Sequence, residues 1–410
     1  MTGRSPTLDD VQALDASDPL ASFRRRFLLP EGVRYFDGHS LGPLTTGALP
    51  AVHQLVLHQW GERLIRSWNE ADWIGAPQRI GAKIAPIIGA RSDEVIVADS
   101  TSVNLFKLLV AAAKLSNRST ILTEAGNFPT DVYIATAAAD LMGLRLEAVD
   151  RSEIVKRMGQ DTNLVLLTHV HFRDSERFDM KDLTIAAREA GARIVWDLSH
   201  SAGAVPLQLA EDGVDFAVGC GYKYLNGGPG APAFLYVARD LQERLTSPLP
   251  GWMGHSAPFE FAEDYLPAAG MSRFLAGTPA ILSMAALEAG VDTFSGIKMD
   301  QLWAKSSMLF DLFSTMISDR CGELECITPE DPLRRGSHIA FRHPQAFQLC
   351  QALIEAGIIG DFRAPDVIRF GLTPLYLKFE DVWHAVEQCV AILATEQWRA
   401  DRFQMRARVT

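Results

Sequence analysis

An α/β fold is predicted for this sequence, with a large domain on a mostly parallel, mixed sheet between helices and a smaller α+β domain at the C-terminal end. Three observations predict it. Between residues 94 and 238, short β-rich apolar runs alternate with helical patterns. Those runs are continuously apolar rather than alternating, as strands covered on both faces are. Beyond about residue 290 the texture changes to long helical stretches with a few short strands. A chain of 410 residues, 48% of them hydrophobic, can supply both cores.

The elements follow in order. "VRYFDGHSLGPL" (33–44) reads as a strand and turn outside the main sheet. "EVIVAD" (94–99) is a buried strand, followed by the helical "VNLFKLLVAAAKL". "TILTEA" (120–125) is the next strand and "TDVYIATAAADLMG" the next helix. "LRLEAV", "NLVLLTHV", "RIVWDLS", "FAVGC" and "AFLYVA" continue the strands, with "MKDLTIAAREAG" a helix among them. One long helical stretch is expected over about 281–318, then "HIAFRHP", the helix "QAFQLCQALIEAG", the strand "VIRFGL" and a closing helix "EDVWHAVEQCVAILATEQW". The expected division is an N-terminal segment (1–50) packing with the small domain, a large domain (51–285) and a small domain (286–410).

Composition excludes several classes. A net charge of −11 argues against a nucleic-acid surface, and clusters such as Arg24-Arg25-Arg26 are too short to make a basic stripe. No apolar run reaches membrane-spanning length, and the first thirty residues lack the pattern of a secretory signal. Five scattered cysteines without a CxxC pair fit neither a zinc ribbon nor a disulfide framework; they suit a reducing cytoplasm. No GxxxxGK[ST] occurs, and "GCGYKY" lacks the third glycine of a dinucleotide fingerprint. His169 and His171 share a face of a predicted strand, but no further His/Cys cluster joins them, so no metal is expected.

In sheets of this kind ligands sit beyond the carboxyl ends of the strands. There the sequence places Ser100-Thr101-Ser102 at a helix start, which serves as an N-cap or as a phosphate cradle. "NFPTD" sets Phe128 beside Thr130 and Asp131 at a second helix start, Asp197 ends "RIVWD", and Lys223 stands in "GCGYKYLNGG". A phosphate cradle, a stacking aromatic, a strand-end carboxylate and a strand-end lysine are together what pyridoxal phosphate needs. The lysine supplies the Schiff base, and the carboxylate pairs with the pyridinium nitrogen. Each residue is weak evidence alone; their order along the chain carries the inference.

The same residues give a resemblance. "YFDGHSLGPL" (35–44), "WGERLIRSWN" (60–69), "STSVNLFKLL" (100–109), "NFPTD", "WDLSHSAGAVP" (196–206), "GCGYKYLNGGPGAPAF" (219–234), "GWMGH" (251–255), "FLAGTP" (274–279) and "VIRFGLTPLY" (367–376) run through most of the chain. It resembles the kynureninase family, of the bacterial type. The resemblance implies the aspartate-aminotransferase-like fold (fold type I of pyridoxal-phosphate enzymes). It implies hydrolysis of L-kynurenine at the Cβ–Cγ bond to anthranilate and L-alanine, as in tryptophan catabolism. Lys223 then corresponds to the Schiff-base lysine and Cα base, Asp197 to the pyridinium partner and Tyr222 to the proton donor. Thr101, Ser102, Phe128, Thr130, Asp131, Thr168, His200 and Tyr222 would complete the cofactor shell, with Trp252 and Thr278 arriving from a second subunit of a homodimer. Arg369 would bind the substrate α-carboxylate, where an isolated arginine would ordinarily be read as a surface ion pair. Ser40, Trp68, Gly277 and Thr278 would line the substrate. Animal members with a 3-hydroxy preference tend to carry histidine, serine and asparagine where this chain has Trp68, Gly277 and Thr278, so L-kynurenine is expected over 3-hydroxykynurenine. The rivals are a cysteine desulfurase or selenocysteine lyase, needing a loop cysteine near Cys321 or Cys326, an aminotransferase, and an inactive scaffold on the same fold.

Overall fold

The computed structural model describes residues 6–405. The chain divides into two compact units. One takes the chain up to Thr46, Phe172–Arg177 and the chain from Ser295; the other takes Gly47–His171 and Phe178–Phe294. The divisions at 46/47 and 294/295 lie four residues before and nine residues after the expected 50/51 and 285/286. The insertion of 172–177 into the first unit had no signature in the sequence.

The larger unit holds a seven-stranded sheet: β1 (Val95–Ala98), β2 (Thr120–Glu124), β3 (Arg145–Val149), β4 (Thr162–Thr168), β5 (Arg193–Asp197), β6 (Phe216–Gly219) and β7 (Ala233–Val237). Their spatial order is β1-β7-β6-β5-β4-β2-β3. β2 to β6 are mutually parallel, while β7 lies antiparallel to both β6 and β1. Six strands therefore point one way, and their carboxyl ends share one edge. The inner runs are buried as predicted, with no exposed residue in "VIVA", "TNLVLLT" and "AFLYV", but the edge strand "RLEAV" has no buried residue, so that run is not covered on both faces. The helix Thr101–Ala113 lays Leu105, Leu108 and Leu109 into the same core as Ile96, Ile121, Leu164 and Phe216. Each such fully buried side chain contributes about 1.5–3 kcal/mol.

Helix ends here obey local chemistry. Ser100 accepts a hydrogen bond from the backbone N–H of Val103 and caps Thr101–Ala113. Pro129 opens the helix Pro129–Met142, whose C-cap, Gly143, takes a left-handed φ of 66°. The expected single helix over 281–318 is two, Ile281–Val291 and Met299–Arg320, separated by a 3₁₀ turn and by Gly296 at φ 83°. Apolar periodicity ran through the junction and hid it. Residues 55–63 form a π-helix, which i/i+4 patterning does not encode.

In the smaller unit an antiparallel sheet runs in the order Asp361–Arg363, Val367–Gly371, His338–Arg342, Glu325–Cys326. Arg34–Tyr35 pairs in parallel with Ile358–Ile359, so the N-terminal segment is part of this unit. Phe36, Phe313, Phe341 and Phe370 form its aromatic core, with ring centroids 5.0–6.2 Å apart.

Candidate active site

Five loops leave the common carboxyl edge of the main sheet with the expected residues. β5 ends on Asp197, which pairs in register with Thr168 at the end of β4. Three residues beyond Asp197 stands His200, its Nε2 3.0 Å from Lys223 Nζ. Asp197, His200, Thr168 and Asp131 are all buried, and Lys223 is half-buried. Lys223 Nζ lies 5.9 Å from the ring centroids of both Phe128 and Tyr222.

Glycines shape the loop around the lysine. A Cβ on Gly221 would stand 2.3 Å from the Pro232 carbonyl oxygen, and one on Gly227 would stand 2.7 Å from the Gly221 carbonyl oxygen. Only a bare backbone packs there. Asn226, at φ 58°, closes the turn by donating from its backbone N–H to the Lys223 carbonyl (2.9 Å).

Asp131 stands beside Asp197. Burial first, then the charge of Asp197 and a hydrogen bond with it, pushes the Asp131 carboxyl well above the usual range, against a smaller pull from Thr168 and Lys223. Asp131 therefore holds its proton beside Asp197. Asn127, which the sequence reading passed over, ties this corner together. Its Oδ1 accepts from the Thr168 hydroxyl (2.6 Å) and from the Phe128 backbone N–H (2.7 Å), and its Nδ2 donates to Thr123 Oγ1 (3.1 Å). An amide in the run "NFPTD" was the available signal.

Burial, followed by the influence of Cys220 and Asp197, pushes the Tyr222 phenol up, so it keeps its proton at neutral pH. With Ser100 used as the cap, the phosphate reading falls to Thr101, Ser102 and the helix N–H groups, since the first turn's donors have no partner within the helix. A cavity of about 580 Å³ is lined by Ser100, Tyr222, Gly277 and Thr278 of the same chain. Thr130 lies in the first turn of its helix. Trp252 is 39% exposed, packed edge-on against Phe259 (5.6 Å between ring centroids). The Trp68 ring meets Trp73 edge-on at 5.7 Å, and Trp73 Nε1 donates to Gln59 Oε1 (2.7 Å).

His169 and His171 lie beyond the end of β4, not on one face of a strand. His169 Nδ1 is 2.9 Å from Ser201 Oγ, and His171 Nε2 is 3.1 Å from the Gly126 carbonyl.

Arg369 is in the smaller unit and is fully buried, so the surface-ion-pair reading fails. Its Nε donates to Asp361 Oδ1 (2.8 Å) and its Nη2 to Asp361 Oδ2, while Nη1 donates to the Phe172 carbonyl. Ser40 donates from Oγ to Asp361 Oδ2 (2.7 Å) and accepts from Arg369 Nη2 (3.3 Å). Asp37, His39 and Asp361 converge closely enough to ligate a cation, but the positive charge beside Asp361 is arginine. Burial and then Asp361 push the Asp37 carboxyl up to about 7. An acid raised on folding stabilises below its unfolded pKa of about 4, and that stability is lost as pH rises towards 7. Asp37→Asn is therefore expected to gain melting temperature over the parent progressively between pH 4 and 7 and then level off; a constant difference between the two across that range counts against a raised carboxyl at Asp37.

Curated relatives match along nearly the whole chain. It is 46% identical over 414 residues to a kynureninase of Pseudomonas fluorescens, covering 98% of this chain and 100% of that one. It is 47% identical over 403 residues to a kynureninase of Deinococcus radiodurans, covering 96% and 98%. The kynureninase C-terminal domain model matches residues 302–389. The chain belongs to the kynureninase family.

Among solved structures, a C-DES mutant with glycine covalently linked to its PLP cofactor superposes with a TM-score of 0.79 at 17% identity, covering 90% of this chain and 98% of that one. The apo cysteine desulfurase of Thermococcus onnurineus superposes at 0.75 with 19% identity, covering 96% and 99%. At such identities the likeness speaks for the fold alone, that of PLP-dependent enzymes of fold type I. The cysteine chemistry of a desulfurase separates from the kynureninase family on local structure. Cys321 is buried at the end of the helix Met299–Arg320 with its thiol pushed up to about 11 by burial, and Cys326 sits in a strand. Neither is a low-pKa thiol on an exposed loop.

Proposed function

We propose that the chain is a pyridoxal-phosphate enzyme that hydrolyses L-kynurenine to anthranilate and L-alanine. The full-length likeness to kynureninases, above 45% identity with both relatives, is the observation that carries it. The residues present fit the cofactor. Two neighbouring buried acids, Asp131 and Asp197, call for a cation where a protonated pyridine nitrogen would sit, a lysine stands 3.0 Å from His200, and a helix N-terminus with Thr101 and Ser102 suits a phosphate. When bound, pyridoxal phosphate supplies an electron sink for charge developing at the substrate's Cα and Cβ.

Asp197 would hold the ring proton, with Asp131, Thr168 and His200 fixing it in place. Phe128 would stack on the ring, and Thr130 would belong to the same loop. Lys223 would anchor the cofactor and then move the Cα proton. Hydrolysis places water's hydroxyl on the γ-carbonyl carbon, which leaves as the carboxyl of anthranilate. The Cβ–Cγ bond breaks, and Cβ takes a proton to become the methyl of alanine. Tyr222, kept protonated by burial, would donate it. Tyr222→Phe is expected to lower turnover about a hundredfold while leaving the cofactor's visible band in place; unchanged turnover removes the residue from the mechanism.

Arg369 would bind the α-carboxylate. Trp68, Gly277 and Thr278 would meet the aryl end, where a tryptophan's apolar area suits the unsubstituted ring and a histidine could bind a phenolic hydroxyl. Trp252 and Thr278, both exposed in one chain, would reach the cofactor of a second subunit in a homodimer. No helix among the described residues is long and apolar enough to cross a membrane. With five free cysteines, a reducing cytoplasm is the compartment we assign.

The test is anthranilate fluorescence on adding kynurenine or its 3-hydroxy derivative to the holoenzyme. The parent is expected to prefer kynurenine, and Trp68→His to move the ratio of kcat/KM about tenfold towards the 3-hydroxy compound. No anthranilate from either substrate rejects the activity; an unmoved ratio rejects Trp68.

A further inference from the structure

The "YFDGHS" segment contributes two residues, Asp37 and His39, to which the activity gives no task. The structure puts them in the buried cluster around Arg369. Asp361 stands directly opposite Arg369 in the antiparallel register of Asp361–Arg363 with Val367–Gly371. It takes the Nε and Nη2 edge of the guanidinium side-on, which fixes the plane of the fork. The end-on edge remains, where the present acceptors are the Phe172 carbonyl on Nη1 and Ser40 Oγ at 3.3 Å from Nη2. A carbonyl and a long contact to a hydroxyl are acceptors that a carboxylate can replace with two charge-assisted bonds.

Asp361 is itself held from several sides. Ser40 Oγ donates to Oδ2 at 2.7 Å, Arg363 Nη2 lies 2.8 Å from Oδ2, and His39 Nε2 lies 3.5 Å from Oδ1. His39 has no solvent exposure and stacks on His338 with 5.2 Å between centroids. Its place depends on a missing side chain: a Cβ on Gly371 would come within 2.6 Å of His39 Nδ1. Burial holds the imidazole down to about 4, so at neutral pH it occupies space and hydrogen-bonds without adding charge. Two arginines and the Asp361 carboxylate leave one net positive charge, with Asp37 as the acid that can cancel it.

We propose that Asp361 and His39 are positioning residues: Asp361 fixes the guanidinium plane of Arg369, and His39, wedged against Gly371 and His338, keeps Asp361 in that pose, so that the end-on N–H pair meets the substrate's α-carboxylate. The inference rests on the reading of Arg369 as the carboxylate site.

Binding of two amines to the holoenzyme tests it, followed by the shift each causes in the cofactor's visible band. L-Alanine carries the α-carboxylate, and ethylamine is the same molecule without it. The parent is expected to bind L-alanine more tightly. In Asp361→Asn that preference should fall about ten- to a hundredfold, with ethylamine unchanged and KM for kynurenine rising more than kcat falls. His39→Asn should lose about three- to tenfold in the same direction, and it carries the test alone if Asp361→Asn does not fold. Arg369→Gln separates the two layers. If it leaves the preference intact, the carboxylate reading itself fails. If it abolishes the preference while Asp361→Asn and His39→Asn keep it, the positioning role fails and Arg369 stands. Equal weakening of both amines by either variant marks a merely structural role and overturns the proposal.

Discussion

Lys223→Ala is expected to remove the visible band of the covalently held cofactor and to lower kynurenine turnover by at least about 10³-fold. Two functions would be lost together, the covalent anchor and the base at Cα. The geometry argues that this loss is chemical rather than structural. Lys223 Nζ makes a 3.0 Å contact with His200 Nε2 and stands nearly 6 Å from the two aromatic rings. The turn that carries the lysine is held by its backbone, through Asn226 and through the glycines that pack on Pro232 and on one another. The variant should therefore keep its melting temperature within a few degrees as apo protein. Borohydride reduction of the parent holoenzyme should fix the cofactor to residue 223, and the variant should take no label. Turnover near the parent level in the variant, or label on another lysine, would sink the assignment on which every role at the sheet edge depends.

The main sheet was legible because most of its strands are continuous apolar runs, and because carboxyl ends collect at one edge when strands are parallel. That rule groups Asp197, Lys223 and the two helix starts from the sequence alone, whereas Thr168 came only with the family resemblance. What stayed hidden needed tertiary information. The reversal of β7 is invisible in "AFLYV", which is as apolar as its parallel neighbours. Asp361 was missed because its partnership with Arg369 depends on hairpin register, not on a motif. His39 was passed over because a histidine in a turn says nothing of the glycine 332 residues later that makes room for it. Asn127 was overlooked for a similar reason. An asparagine before a helix reads as a cap, yet here it joins β2, β4 and Phe128.

The acid pair yields the second large effect, and its value lies in the contrast between its members. Asp197→Asn should lower turnover about 10²- to 10³-fold, because the charge that would keep the ring nitrogen protonated disappears from a site where charges are worth far more than in water. Asp131→Asn should cost about tenfold or less. The Asp131 carboxyl is pushed up by burial and then by Asp197, so it keeps its proton beside that neighbour. An asparagine amide at 131 can make the same donation, and the Thr168 hydroxyl 3.2 Å away can turn to meet it. Asp197 has no such substitute, since an amide beside a ring nitrogen offers a dipole in place of a charge. Its backbone is pinned independently by the register with Thr168 and Val218, and Asp197 Oδ1 accepts from the Ser199 N–H at 2.7 Å, a bond that an asparagine oxygen retains. Melting temperatures of the two variants should consequently be similar while their turnovers separate by an order of magnitude or more. If Asp131→Asn proves the more damaging, the charge resides on Asp131 and the assignment of the pyridinium partner moves with it.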